Sequence, residues 1–171
     1  MKGETDWMSL GEWVVALRAL HEQARRGSLP PDEIKRYLEE RETLAQAILA
    51  AQRLRAAPNA KGRRALRVAR ELPIELTVDR VVTRARTLDL GMGGFAVTMA
   101  IPPRAGLQAT FSLEVEPGRA VTGKARVVSV QRKGKPYRVA FCFEDLSPDQ
   151  TDRLGIAVFD AALAGIVPGT R

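Results

Sequence analysis

The chain has 171 residues, 45% of them apolar and 27% charged, which suits one ordinary domain or two small ones and excludes a largely disordered chain. Its formal net charge is +7, and its one cysteine, Cys142, excludes an internal disulfide and fits a reducing compartment. No apolar run approaches the roughly 20 residues of a membrane helix, and the amino terminus lacks the regions of a secretory signal. We therefore expect a cytoplasmic protein without membrane insertion.

The excess positive charge is concentrated in ten residues. Residues 1–60 carry nine basic and nine acidic side chains, whereas residues 61–70, KGRRALRVAR, carry five basic side chains and no acid. A general nucleic-acid-binding protein more often spreads its basic groups over a face or along a helix. The clustering therefore favours a local anionic partner.

Residues 1–57 are predicted to form an antiparallel helical hairpin. Apolar residues at spacings of three and four predict a helix over 6–26, which Gly27 ends. Pro31 suits the first position of a second helix, which runs to about Arg55. Two helices alone bury too little surface to be stable. The hairpin must therefore pack on its own domain, or serve in oligomerisation or partner docking.

A linker and basic arm over 58–70 leads into a segment, 71–171, in which the apolar period changes to two. Strands are predicted at 72–79, 85–90, 95–99, 108–115, 120–131 and 137–143. A slip in the apolar phase near Val127 indicates a bulge, and Ser147 with Pro148 predicts the start of a last helix. The expected fold is α+β: an N-terminal helical hairpin, then a six-stranded antiparallel β-barrel with a C-terminal helix.

Two arginines four residues apart, Arg63 and Arg67, precede the first predicted strand, with Arg64 and Arg70 as further candidates. A guanidinium is planar and permanently charged, can bind phosphate or a guanine edge through two parallel hydrogen bonds, and stacks on bases. Two such groups on an arm could hold a nucleotide. The alternative interpretation is a solvated basic linker.

Asp89 is followed by three glycines, Gly91, Gly93 and Gly94. A carboxylate can accept hydrogen bonds from the N1 and N2 edge of guanine, while glycines let a ligand approach the backbone. Alternatively, the glycines permit a tight turn with positive φ, which the aspartate braces with its side chain.

Taken together, these features resemble the PilZ domain, the bacterial receptor module for cyclic di-GMP. The family pairs Arg-x-x-x-Arg with Asp/Asn-x-Ser-x-x-Gly some 20 to 30 residues later. Arg63 and Arg67 match the first motif, and Asp89 and Gly94 match the second. The strand YRVAFCF at 137–143 also resembles the last barrel strand of the family, so that the resemblance covers about residues 61–163.

The resemblance implies a signalling receptor or adaptor that binds cyclic di-GMP and regulates motility or biofilm formation. The implied ligand-binding residues are Arg63, Arg64, Arg67, Asp89, Gly91 and Gly94. Binding would order the arm and rearrange the helical hairpin, which would act on a regulatory or motility protein. A homo-oligomer formed through the N-terminal helices is a further expectation.

One departure from the family pattern favours an alternative. Gly91 stands where the family has serine, and a lost hydrogen bond would weaken binding by about two- to twelvefold. The alternative is an adaptor with the same fold that binds a protein and no nucleotide. A further alternative is nucleic-acid binding through the arm and the basic turn at 132–135, against which the near-neutral helices count.

The sequence gives no indication of an enzyme, a metal or a cofactor. One histidine and one cysteine cannot build a common zinc site, and neither a phosphate-binding loop nor a dinucleotide-binding glycine motif is present. His21 lies on the apolar stripe of the first helix, where a core or interface role is expected. Cys142 lies on a predicted strand with no histidine nearby in sequence.

Overall fold

The computed structural model describes residues 8–55, 65–132 and 134–166. Within these ranges the chain forms three helices and seven strands, in the predicted order of hairpin, barrel and final helix. They are α1 (Leu10–Arg25), α2 (Pro31–Arg55), β1 (Arg67–Ala69), β2 (Pro73–Val78), β3 (Val81–Gly91), β4 (Gly94–Met99), β5 (Gln108–Glu116), β6 (Arg119–Gln131), β7 (Tyr137–Glu144) and α3 (Pro148–Ala164). The α+β prediction is confirmed, with β1 as an additional strand.

The strands form one antiparallel sheet in the order β1-β3-β2-β5-β6-β7-β4, and pairing of β3 with β4 closes it into a barrel. Alternate residues of each strand point into the barrel, where Phe95 and Phe141 stack with their ring centroids 5.0 Å apart. The predicted bulge is confirmed, because the register of β6 against β7 shifts between Val127 and Ser129.

The turn between β2 and β3 is tighter than the sequence predicts. The second strand was expected to begin at residue 85, whereas β3 begins at Val81 and pairs with β2 directly from Val78. Asp79 and Arg80 both have positive φ, 48° and 65°, as in a two-residue hairpin turn whose twist matches the strands. An Asp-Arg pair lacks the usual glycine signal for this turn, so the strand start was predicted too late.

Residues Arg67–Ala69 form a strand, although the sequence pattern places 58–70 in a linker and arm. They pair with the end of β3, from Arg67 opposite Gly91 to Ala69 opposite Asp89. Leu66, directly before this strand, is only 5% exposed and belongs to the apolar core, which fixes the strand against the barrel. Residues 58–64 of the predicted arm lie outside the described residues.

The helical hairpin packs on its own chain, one of the two alternatives left open by the sequence. Leu17 of α1 and Tyr37 and Leu44 of α2 are buried in the same apolar cluster as the barrel, and α1 contacts both α2 and α3. Arg18 donates to the carbonyl oxygen of Leu163 at 2.9 Å, near the end of α3, where unpaired carbonyls attract a cation. Association of two chains through the rest of the hairpin stays a prediction.

Within the described ranges, none of the helices has the length and hydropathy that a membrane span requires.

His21 is buried where α1, α2 and α3 meet, which agrees with a core role. Its Nδ1 lies 2.7 Å from the Tyr37 hydroxyl, and its Nε2 lies 3.6 Å from Oδ1 of Asp160. Burial lowers the pKa of His21 below its usual value, and nearby Arg41 and Arg25 act in the same direction, while Asp160 opposes the shift. His21 is therefore neutral in the folded chain near pH 7.

This arrangement predicts a specific loss of stability in mild acid. Because the pKa of His21 is lower in the folded state, the unfolded chain binds the proton first as the pH falls below about 6.5. Relative to His21→Gln, the free energy of unfolding of the natural chain should fall below pH 6.5 by at most about 1.4 kcal/mol per pH unit. Urea denaturation of both proteins between pH 8 and pH 5, about 1.5 units on either side of this value, measures the difference. Parallel pH profiles would contradict the prediction.

Candidate functional site

Arg67 and Asp89 lie side by side on the outer face of the sheet, where β1 pairs with β3. Nη1 of Arg67 is 3.0 Å from Oδ1 of Asp89, so two of the predicted site residues form an ion pair. The register explains the contact: Ala69 is opposite Asp89, and Arg67, two residues earlier, is on the same face and opposite Gly91. Arg63 and Arg64, also predicted to be in the site, lie outside the described residues.

A third side chain, Arg138 of β7, was missed by the sequence analysis. Its Nη2 contacts Oδ2 of Asp89, on the opposite side of the carboxylate from Arg67. Arg138 alternates with the buried Val139 and therefore points outward, which the sequence does show. Its position near Asp89 depends on the pairing of β7 with β4 and of β4 with β3, which the sequence pattern does not specify.

The three side chains form a compact, partly buried cationic cluster. The side chain of Asp89 is 12% exposed, while those of Arg67 and Arg138 are 24% and 30% exposed. Two guanidinium groups against one carboxylate leave a net charge of +1 in the described part of the site. Each carboxylate oxygen has two lone pairs and accepts from one guanidinium. Asp89 therefore retains acceptor capacity for a further donor.

Gly91 and Gly94 serve close packing of the backbone, and none of the three glycines has a positive φ. The glycines with positive φ lie elsewhere in the described chain, at positions 27, 106, 118 and 134. A Cβ on Gly91 would lie 2.6 Å from the carbonyl oxygen of Leu66, and one on Gly94 would lie 3.0 Å from the carbonyl carbon of Phe141. Gly93 has no heavy atom within 4 Å of such a Cβ. Gly91 thus lets β1 approach β3, and Gly94 lets β7 approach β4.

Restoring the family serine at position 91 should disturb the site. In Gly91→Ser the new Cβ would press on the backbone of Leu66, and we expect a loss of roughly 1–3 kcal/mol in the free energy of unfolding and faster amide exchange in β1. Gly93→Ser is the matched control, because that position has open space. Hydrogen-exchange mass spectrometry and thermal unfolding check both variants. Equal behaviour of the two serine variants would contradict this account of Gly91.

A cleft of about 300 Å³ lies between the helical hairpin and residues adjacent in sequence to the site. Leu66, which precedes Arg67, and Met92, which follows Gly91, form one wall of this cleft. Its other wall includes Ala45 and Leu49 of α2. The backbone segments that carry the site therefore face α2 directly.

The described residues contain no cluster of histidine, cysteine, aspartate or glutamate that could hold a metal ion. Cys142 is partly exposed on β7, and His21 is engaged with Tyr37 and Asp160 in the core, away from Asp89. The chemistry available at the cluster is thus the recognition of an anion and of hydrogen-bond donors.

The described chain is thus a small antiparallel barrel with an Arg-Asp-Arg cluster on its outer face. Residues 61–160 match the sequence model of the PilZ domain, and the chain belongs to this family. Members of the family are binding and adaptor proteins. The matched range contains the two arginines of the first motif as well as Asp89, Gly94 and Arg138.

The fold is similar to several solved PilZ-domain structures. The PilZ domain of YcgR from Escherichia coli, in a structure with c-di-GMP, is 20% identical with a TM-score of 0.50, over 59% of this chain and 92% of that one. The Bacillus subtilis inhibitor of motility (MotI/DgrA) is 14% identical with a TM-score of 0.54, over 63% of this chain and 54% of that one. The longer YcgR structure in complex with c-di-GMP is 19% identical with a TM-score of 0.51, over 59% of this chain and 46% of that one.

The chain thus spans about half the length of the last two structures. At these identities the similarity shows the fold. A search of the curated proteins found no match.

Proposed function

We propose that this protein is a cyclic di-GMP receptor that passes ligand binding on to a partner protein through its helical hairpin. The observation that carries the proposal is the ion pair between Arg67 and Asp89, 3.0 Å apart. These residues come from the two separate sequence motifs of the family, and the fold brings them into contact on one face. The structure of the E. coli YcgR PilZ domain with c-di-GMP supports the choice of ligand.

In the proposed binding step Arg67 exchanges Asp89 for the ligand. A guanidinium can hold a phosphate oxygen pair or stack on a base, and it binds an anion more strongly than a neutral acceptor. The released Oδ1 of Asp89 would accept from N1–H and N2–H of a guanine. Arg63 and Arg64 would add positive charge from the preceding segment. The exchange couples ligand binding to the position of β1, which begins at Arg67.

The same step would reach the hairpin through the cleft beside the site. Leu66 and Met92 are sequence neighbours of Arg67 and Gly91 and face Ala45 and Leu49 of α2. A shift of β1 on ligand binding therefore changes the surface on which α2 rests. The hairpin responds only if the ligand binds one of its arrangements better than the other. The partner would be a protein of a regulatory or motility system that contacts the hairpin.

Thermal unfolding with increasing cyclic di-GMP tests the proposal. A ligand at a hundredfold excess over its Kd adds about 2.7 kcal/mol to the free energy of unfolding, which for a chain of this length raises Tm by roughly 5–11 °C. GTP and a DNA duplex serve as controls for a single nucleotide and for generic polyanion binding. Stabilisation by cyclic di-GMP alone supports the proposal. An unchanged Tm at saturating concentrations, or stabilisation by DNA that disappears with salt, would contradict it.

Gly91 supports a second candidate, an adaptor that binds a protein and no nucleotide. The family serine is missing at this position, and the backbone of Leu66 occupies the space that its side chain would need. In this candidate the ion pair of Arg67 and Asp89 fixes β1 permanently. The adaptor predicts that cyclic di-GMP leaves amide exchange in β1 and α2 unchanged, whereas the receptor predicts that it alters both.

A further inference from the structure

Arg138 lies two strands away from Asp89 on the same outer face of the barrel. Asp89 of β3 is opposite Ala96 of β4, and Ala96 is opposite Ala140 of β7. Arg138 is two residues before Ala140 on β7 and on the same face, so its side chain lies diagonally across β4 from Asp89. Ala96 and Ala140 in this row have single methyl groups as side chains, which leaves room for the guanidinium to reach the carboxylate.

The contact is less exposed than the ion pair of Arg84 and Glu75 on the same barrel. Nη2 of Arg138 contacts Oδ2 of Asp89, whose side chain is only 12% exposed, while Arg67 occupies Oδ1. By contrast, the pair of Arg84 and Glu75 on β3 and β2 is 86% and 47% exposed. Exposed pairs of that kind have little influence on structure. The carboxylate of Asp89 is much less exposed and is divided between two arginines, whose side chains are 24% and 30% exposed.

Ligand binding gives the two arginines different tasks. If Arg67 leaves Asp89 for a phosphate, Oδ1 is freed and the partly buried carboxylate needs another partner to stay charged and oriented. Arg138 already holds Oδ2 from the far side. The plane of the carboxylate is then fixed with a free oxygen facing the position that Arg67 vacates. Guanine presents two donors, N1–H and N2–H, to such a group.

We propose that Arg138 is a positioning residue for guanine recognition, which holds Asp89 through Oδ2 so that the carboxylate can accept from the N1 and N2 edge. This inference rests on the proposed receptor function. It assigns to β7 a role in the specificity of a site whose residues Arg67 and Asp89 lie on β1 and near the end of β3.

Calorimetric titrations of four proteins with two ligands test the inference. The proteins are the natural chain, Arg138→Gln, Arg138→Lys and the matched control Arg84→Gln, and the ligands are cyclic di-GMP and cyclic di-IMP, which lacks the 2-amino group. The natural chain should bind cyclic di-IMP about tenfold more weakly, because one hydrogen bond to a charged group is lost. Arg138→Gln should bind cyclic di-GMP about tenfold more weakly and should distinguish the ligands by only about threefold or less.

The variants separate a positioning role from a structural one. Arg138→Lys should recover most of the discrimination, because an ammonium can also donate to Oδ2, and Arg84→Gln should match the natural chain. If Arg138 had only a structural role, or contacted a phosphate directly, its replacement would weaken the binding of both ligands equally. That result would overturn the inference, as would unchanged binding by a folded Arg138→Gln. Absence of binding to the natural chain would instead overturn the receptor function, and the inference with it.

Discussion

Replacing Arg67 with alanine is expected to weaken cyclic di-GMP binding by about 10- to 150-fold, the value of one hydrogen-bonded contact to a charged group. Among the described residues, the guanidinium of Arg67 is the one that lies both in the first sequence motif and against Asp89. Pairing of β1 with β3 fixes its position on the sheet beside the carboxylate. Calorimetric titration measures the loss.

The variant should remain folded, because Asp89 keeps Arg138 as its second partner. Arg84→Ala is the matched control. The ion pair of Arg84 with Glu75 also joins two neighbouring strands, but it is largely exposed, so its loss should leave cyclic di-GMP binding unchanged. Tm values of both variants within a few degrees of the natural chain would show that the barrel is intact. Undiminished affinity of a folded Arg67→Ala would remove Arg67 from the site.

Replacing Gly94 with alanine is expected to destabilise the barrel strongly. The added Cβ would overlap the carbonyl oxygen of Phe141 and lie 3.0 Å from its carbonyl carbon and 3.1 Å from Cα of Cys142. All three are backbone atoms of β7, which cannot turn away as a side chain can. We expect a loss of about 3 kcal/mol or more in the free energy of unfolding, and for a chain of this length a Tm lower by roughly 6–12 °C.

Gly93→Ala is the control for this substitution. It adds the same methyl group one residue earlier, where the space is open, and its effect should stay within about 0.5 kcal/mol. Denaturation in urea, with equal m-values for the two variants, compares their free energies of unfolding directly. Similar stability of the two variants would contradict the assignment of Gly94 to the packing of β4 against β7.

Local signals were sufficient for the starts of α2 and α3 and for most strands, whereas α1 begins at Leu10, after the cap of Ser9, and not at the predicted residue 6. Pro31 and Ser147 mark helix starts through their own backbone and side-chain chemistry, and both helices begin there. The alternation of apolar and polar residues predicted the strands of the barrel, because a strand with one buried face has an apolar period of two. The turn at Asp79 and Arg80 was missed because those residues rarely adopt positive φ, so that only the pairing of β2 with β3 reveals it.

The residues of the candidate site that stand in sequence motifs could be predicted from the sequence. Those that reach the site only through the pairing of distant strands could not. Arg67 and Asp89 stand in recognisable motifs, and the structure brings them into contact. Arg138 occurs 49 residues after Asp89 and depends on the β4–β7 register. The proximity of Gly91 to Leu66 was not predicted for the same reason, since it arises only when β1 pairs with β3.

Calorimetric titration of the natural chain with cyclic di-GMP, with GTP as the control ligand, tests the receptor function most directly. We predict saturable heat with a micromolar or lower Kd for cyclic di-GMP, no heat for GTP, and binding about 10- to 150-fold weaker in Arg67→Ala. Binding with these properties would show that Gly91 in place of serine is compatible with a working site. The absence of heat at high ligand concentration would contradict the receptor function and leave the protein-binding adaptor as the function of this fold.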